Sequence, residues 1–243
     1  MKNHNGKNGN NNGWKFPNIM EGYGLKGLKT SLYIARHAES EYNRMNRIQG
    51  GTQSVLSELG KKQAKKLAKR MKNGKIDVII ASTLKRAIST AREIAKFHKN
   101  AEFVLNANLN ERNYGIFEGN SLRQVEKEHP DFWKKFALSG NRHLYAPPKG
   151  ESWLQVRRRA VPALKKILKE YEGKTIMVVA HGGLNRILLS ELLSIPLKRN
   201  SILSQKNACV NLVEIGKGRV SFRIYNDTSH LNGLASPKNK TGF

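Results

Sequence analysis

The chain is poor in the residues that would cross-link it or hold it in a bilayer. Its 243 residues include one cysteine, Cys209, which excludes an internal disulfide framework and any multi-cysteine zinc site. That cysteine lies in the apolar run Ala208-Cys209-Val210, the setting of a buried structural thiol rather than a nucleophile. No window approaches the roughly 18 apolar residues of a membrane span. The N-terminus carries lysines but no apolar stretch of the kind found in secretory signals. A soluble cytoplasmic protein, with no membrane partner, is the expectation. Acidic residues are scarce too: 18 Asp plus Glu stand against 44 Lys plus Arg, a net charge of +26. Charge of this size speaks to partners and solubility rather than to fold. It suits a phosphorylated metabolite or a nucleic acid, and it also suits lysines spread over solvated faces.

What is present is a normal share of core-forming residues, 38% of the chain. Residues 1–12 are almost entirely Asn, Gly and Lys, a composition that cannot bury enough surface to become ordered. Trp14, Phe16, Ile19 and Met20 could dock the rest of an N-terminal arm over 1–28. From residue 29 to 232 the pattern alternates. Ser31–Ala35, Ile76–Ala81 and Thr175–Ala180 are apolar, β-branched runs of the kind found in parallel strands covered on both faces. Helical periodicity is read over 57–73, 84–98, 151–171 and 183–193. In the first of these, Lys61, Lys62, Lys65, Lys66, Lys69 and Arg70 fall opposite Leu59, Ala64, Leu67, Ala68 and Met71. Pro162 predicts a kink in the third. One or two short helices over 121–138 suggest a small helical lid around 119–150. Two alternating runs, 208–215 and 219–225, predict a closing hairpin, and 233–243 reads as a flexible tail. The fold class is α/β: a three-layer α/β/α sandwich with a mostly parallel central sheet.

The chemistry-bearing residues sit at predicted strand ends, where open α/β sheets place their sites. Arg36-His37 follows the first strand, Ser82-Thr83-Leu84-Lys85-Arg86 the second, and His181-Gly182-Gly183 the third. An imidazole can attack phosphorus or move protons, and a guanidinium grips phosphate oxygens in a planar fork. Gly182 and its neighbour allow close backbone approach at a helix N-terminus, where amide dipoles favour an anion. Glu111, in the stretch Leu109–Gly115, is placed to act as a proton donor. By contrast, Gly22-Tyr23-Gly24-Leu25-Lys26-Gly27 matches a dinucleotide-binding turn only in letters, because it precedes a strand and opens no helix. No nucleic-acid motif or aromatic stacking pattern accompanies the basic charge.

Taken together, R-H-A-E-S, S-T-L-K-R-A, L-N-E-R-N-Y-G-I-F-E-G, G-E-S-W and A-H-G-G, in that order, resemble the motifs of the histidine phosphatase superfamily, also called phosphoglycerate mutase-like. The resemblance implies that His37 is the nucleophile and forms a phosphohistidine. It implies that Arg36, Arg86 and His181 surround the phosphoryl oxygens, and that Glu111 protonates the leaving oxygen and then activates water. Asn43 and Gln49 match positions that line the phosphate pocket. No metal or other cofactor is implied. Ala38 stands where the family commonly has glycine, and Gln53 stands near a common aspartate.

Two activities share these motifs. Arg112 and Tyr114 look like the mutase version, in which they would hold a second acidic group of the substrate. Yet Gly119 is followed by Asn120-Ser121-Leu122 without the mutase lysine, and the segment to Glu151 is short. His143–Glu151 and Thr228–Leu231 look instead like broad-specificity and cobalamin-pathway (alpha-ribazole) phosphatases. The expectation is therefore a phosphomonoester hydrolase acting on a small phosphorylated metabolite. The alternatives are a 2,3-bisphosphoglycerate-dependent mutase and a catalytically idle nucleic-acid-binding domain. Phe132, Trp133, Phe136 and Tyr145 read either as a lid over the pocket or as the helical segment's own core. Oligomeric state is not legible.

Overall fold

The computed structural model describes residues 23–236. Six strands among them form one sheet: β1 (Thr30–Arg36), β2 (Val78–Ala81), β3 (Glu102–Leu105), β4 (Thr175–Ala180), β5 (Val210–Gly216) and β6 (Arg219–Asp227), in the order β3-β2-β4-β1-β5-β6. The four strands from β3 to β1 are parallel, and β5 and β6 run antiparallel at one edge. Period-two alternation splits each central strand between two cores. Leu32, Ile34, Val78, Ile80, Ile176 and Val178 face one side, and Ala35, Ile79, Ala81, Met177 and Val179 face the other.

Helices cover both faces, as the doubly apolar strands require. The helices α1 (Glu41–Arg44), α2 (Glu58–Met71) and α3 (Lys85–Ala95) precede β3; α4 (Leu122–Glu128), α5 (Pro130–Leu138) and α6 (Trp153–Glu170) precede β4; α7 (Gly182–Leu192) follows it. Ala64, Leu67 and Ala68 of α2 and Ala87, Ala91 and Ile94 of α3 close one core, while α6 and α7 close the other. The lysine stripe of α2 faces solvent along its whole length. The expected hairpin is β5–β6; Lys217 and Gly218 turn it with φ of 49° and 75°, the two positive values that a tight two-residue hairpin turn needs.

Several local expectations shift. The edge strand β3 is absent from the sequence reading, because four largely exposed residues beginning with Glu102 carry no period. Pro162 lies inside α6, where the sequence places it. Pro130 opens α5 at its first turn, where its missing N–H costs nothing. Residues 23–28, expected within a disordered or loosely docked arm, are held: the Glu172 carboxylate accepts the backbone N–H groups of Lys26, Gly27 and Leu28 at 2.8, 2.7 and 3.0 Å, and Tyr23 joins the core. At the other end Gln63 Nε2 donates to Leu234 O and Ser236 Oγ. Trp14, Phe16, Ile19 and Met20, and the tail beyond residue 236, lie outside the described residues. No helix among the described residues is long and apolar enough to cross a membrane.

One close approach ties α2 to the loop after β1. Ser57 N donates to Glu39 O, and Ser57 Oγ donates to Glu39 Oε1 at 2.7 Å. A Cβ on Gly60 would lie 1.8 Å from the Glu39 backbone carbonyl oxygen, so backbone has to move. Gly60→Ala is expected to cost about 1–3 kcal/mol by overpacking. Thermal unfolding should show it as a drop in Tm of roughly 2–12 °C.

Candidate active site

The strand order β2-β4-β1 decides the site. Arg36 pairs with Ala180 and Ala81 with Val179, so the residues just beyond these strands emerge side by side at one sheet edge. Those residues are His37, Ser82 and His181. The His37 and His181 rings have centroids 5.2 Å apart. Arg86 reaches the same point from the first turn of α3. The helix has no side-chain cap of its own at Leu84, and Gln53 Oε1 accepts the Lys85 N–H at 3.0 Å. The departure at Gln53 thus supplies a cap from another loop.

His37 is buried, and its tautomer follows from its neighbours. Nδ1 lies 2.7 Å from Ala38 O. A carbonyl only accepts, so Nδ1 carries the proton and Nε2 keeps its lone pair. Arg86 Nε donates to that lone pair at 3.3 Å. Burial first, and then the charges of Arg86 and Arg36, hold the His37 imidazole well below its ordinary range. The ring is therefore a neutral base at physiological pH. Burial pushes the Arg86 guanidinium down to about 10, which still leaves it charged at neutral pH.

The pocket in front of Nε2 is lined by Arg36, Arg47 and Arg86 against one carboxylate, Glu111. That balance favours an anion. Asn43 and Gln49 line it too, and both amides are turned to donate. Asn43 Oδ1 accepts from Ser40 N at 3.2 Å and Asn207 Nδ2 at 3.1 Å. Gln49 Oε1 accepts the Ser40 hydroxyl at 2.6 Å. With their oxygens engaged, the amide N–H groups are left to the pocket. Tyr114, Ile48 and Gly50 complete the wall. Burial pushes the Tyr114 phenol up to about 12, so it stays neutral.

Glu111 is clamped at the N-terminus of α7. Its carboxylate accepts the backbone N–H groups of Gly183 at 2.9 Å, Leu184 at 3.1 Å and Arg112 at 3.0 Å. Arg159 of α6 holds the loop from behind, donating to Asn108 O, Asn110 O and Glu111 O while forking onto Glu151. A Cβ on Gly183 would meet Trp153 at 2.3 Å and Glu111 Oε1 at 2.7 Å. Gly183→Ala is therefore expected to displace the carboxylate, and steady-state kinetics should show kcat/KM down by about 10²-fold, the usual result of ångström-scale misplacement. Gly182 sits against Arg36, whose Nε and Cζ would lie 3.3 and 3.4 Å from an added Cβ.

Arg112, expected to bind substrate, is not among the residues that line this pocket and is fully buried. It donates to Glu151 O at 2.6 Å and Tyr145 O at 3.0 Å and sits in the corner where the Tyr114 and Trp153 rings meet edge to face, while its Nη1 has no partner among the described residues. There it fastens loops together. The aromatic rings of α5 pack together and on Phe117: Phe132 meets Phe117 and Phe136, and Trp133 meets Phe136. Cys209 is buried, with its thiol pushed up to about 11 by desolvation, which leaves it inert.

Other residues escaped the sequence reading. Glu118 accepts from Gly51 N at 2.7 Å, Tyr114 N at 3.0 Å and the Thr52 hydroxyl. It thereby fixes the loop whose Gly50 and Thr52 carbonyls receive Arg86, each at 2.8 Å. Asn207 donates to His37 O and Asn43 Oδ1. The final motif letters F-E-G contain Glu118, but nothing local marks its partners.

Comparison with known proteins agrees with this geometry. Residues 32–228 match the family described as histidine phosphatase superfamily (branch 1). A metal-independent phosphoserine phosphatase of Arabidopsis thaliana is 32% identical over 206 residues, 84% of this chain and 84% of that protein. Phosphoserine phosphatase 1 of Hydrogenobacter thermophilus is 32% identical, covering 82% of this chain and 93% of its own. Among solved structures, Bacillus stearothermophilus YhfR superposes with a TM-score of 0.76 at 29% identity, over 83% of this chain and 99% of that one. With nearly the whole sheet and every strand-end motif inside the matched region, the chain is a phosphatase-type enzyme of the histidine phosphatase superfamily.

Proposed function

We propose that this enzyme hydrolyses phosphomonoesters of small metabolites through a phosphohistidine on His37 Nε2. The observation that carries the proposal is the His37 tautomer. Its lone pair faces a pocket walled by three arginines and one carboxylate. A phosphate dianion entering the pocket replaces the Arg86 Nε–H as the neighbour of Nε2. Attack in line with the ester oxygen forms the N–P bond and breaks the P–O bond. Arg36, Arg86 and the Asn43 and Gln49 amides hold the equatorial oxygens as charge develops. Glu111 delivers the proton that the leaving oxygen needs, then removes one from the water that attacks the phosphohistidine. Product phosphate leaves with the catalytic groups restored.

Hydrolysis is favoured over mutase chemistry by the segment after Gly119, which lacks the mutase lysine and runs short to Glu151, and by the phosphoserine phosphatases among the relatives. The named phosphoserine phosphatase relatives make phosphoserine the first substrate to try. The test is phosphate release from a panel containing phosphoserine and other phosphomonoesters. 3-Phosphoglycerate is included with and without 2,3-bisphosphoglycerate. Bisphosphoglycerate-dependent isomerisation exceeding phosphate release would overturn the reading.

A further inference from the structure

The hydrogen bonds around His181 leave it one tautomer. Asn110 Oδ1 accepts from three donors: the Thr83 backbone N–H at 3.0 Å, the Thr83 hydroxyl at 2.9 Å and the Ser82 hydroxyl at 2.8 Å. The amide must present its oxygen here, because a backbone N–H can only donate. Ser82 has a single proton, and that proton goes to Asn110. Toward its other neighbours Ser82 Oγ is an acceptor, for Leu84 N at 3.2 Å and His181 Nε2 at 2.7 Å. His181 therefore carries its proton on Nε2. Its Nδ1, in a ring with 0% exposure, has no partner among the described residues.

The groups around this ring are Arg36 and His37 at the end of β1, Arg86 of α3, Arg159 of α6 and Glu111, whose carboxylate sits on the amides just after His181. Burial first, and then the neighbouring charges, hold the His181 imidazole well below its ordinary range. In the free protein Nδ1 is a bare lone pair. The ring lies beside that of His37, with centroids 5.2 Å apart, next to the pocket rather than in its lining; toward an oxyanion seated at His37 a bare Nδ1 lone pair is repulsive and a protonated Nδ1 attractive, and the arriving dianion offsets the cationic field that kept the ring neutral.

We propose that Asn110, acting through Ser82, is a positioning residue that fixes the Nε2–H tautomer of His181, so that His181 takes up a solvent proton at Nδ1 when a phosphate dianion binds. The proposal rests on the phosphatase reading of the pocket. The proton returns to solvent when phosphate leaves, so the cycle balances. Without the Asn110 acceptor, the Ser82 hydroxyl is free to donate to Nε2. The neutral ring can then carry its proton on Nδ1 and meet the anion with no uptake. Asn110 is thus assigned control of how oxyanion binding depends on pH.

Tungstate is a suitable probe, because it is a tetrahedral dianion that does not titrate near neutral pH. Calorimetry in buffers of different ionisation enthalpy counts the protons taken up. Glu111→Gln and His37→Ala are used together throughout, so that neither this carboxyl nor the imidazole in the pocket lining can take the proton. About one proton per bound ion is expected, falling to near zero when Asn110→Ala is added. Nitrogen NMR of histidine-labelled protein should show His181 protonated at Nε2 alone when free and at both nitrogens with tungstate. Ser82→Ala keeps the Thr83 bonds to Asn110 and should also abolish uptake, which covers the case in which Asn110→Ala fails to fold. A merely structural role would lower Tm without changing the proton count. An Nδ1–H tautomer in the free protein overturns the relay. A neutral His181 beside bound tungstate overturns the uptake while leaving the phosphate site standing. Failure to bind tungstate at all overturns the pocket reading and the uptake together, and the free-state tautomer still decides the relay.

Discussion

His37→Ala is expected to lower kcat/KM for every phosphomonoester by on the order of 10⁴-fold or more, the scale seen when a catalytic nucleophile is removed. The effect should fall on the chemical step, since Arg36, Arg86, Asn43 and Gln49 remain to bind the anion. KM should therefore change far less than kcat. Rapid acid-free quenching of the unaltered enzyme with labelled substrate should trap a phosphoenzyme that acid destroys and base spares. The His37→Ala protein should trap none. The imidazole makes one bond to Ala38 O and one to Arg86 Nε, and the loop is held independently by His37 N to Ala180 O, Ala208 N to His37 O and Ala38 N to Thr90 Oγ1. The variant should therefore fold, and circular dichroism checks this. Undiminished phosphate release from a folded His37→Ala protein would sink the mechanism.

Glu111→Gln separates proton donation from the rest of catalysis. Glutamine keeps one acceptor oxygen, enough for the Leu184 and Arg112 N–H groups that share Oε1, loses the oxygen that accepts the Gly183 N–H, and has no ionisable proton. For alkyl phosphates, whose leaving alkoxide needs a proton, kcat should fall by about 10²- to 10⁴-fold. For aryl phosphates with acidic phenols the leaving group departs unaided, and the first step should be nearly unchanged. Dephosphorylation then becomes limiting, because water has lost its base. A burst of phenol equal to the enzyme concentration, followed by slow turnover, is the expected trace. Equal losses for alkyl and aryl substrates, without a burst, would remove Glu111 from the proton-donor role and leave it a positioning residue on α7.

His37, Arg86, Glu111 and His181 were legible because each follows a strong apolar run or falls in a short, distinctive string. Arg112 lies in such a string too, but its surroundings are not local. Its burial against Tyr114 and Trp153, and its bonds to the carbonyls of residues 145 and 151, depend on segments far away in the chain. The roles of Glu118 and Asn207, and the helix cap that Gln53 supplies, are not legible for the same reason. Each is an ordinary polar residue made important by a partner that local pattern does not reveal. The strand β3 went unread because an exposed edge leaves no hydrophobic period.

The sequence by itself determined the α/β class, the strand ends that carry chemistry and the family, since apolar periodicity and short motifs are local properties of the chain. Tertiary structure alone decided which of those ends meet. Only the order β2-β4-β1 brings Ser82, His181 and His37 to one edge. Only there do Ala38 O and Arg86 assign the proton of His37, and Asn110 and Ser82 that of His181. The physical reason is the range of the forces involved. A hydrogen bond is settled within about 3 Å of its partner, and those partners come from segments that the folded sheet, rather than the order of residues, makes neighbours.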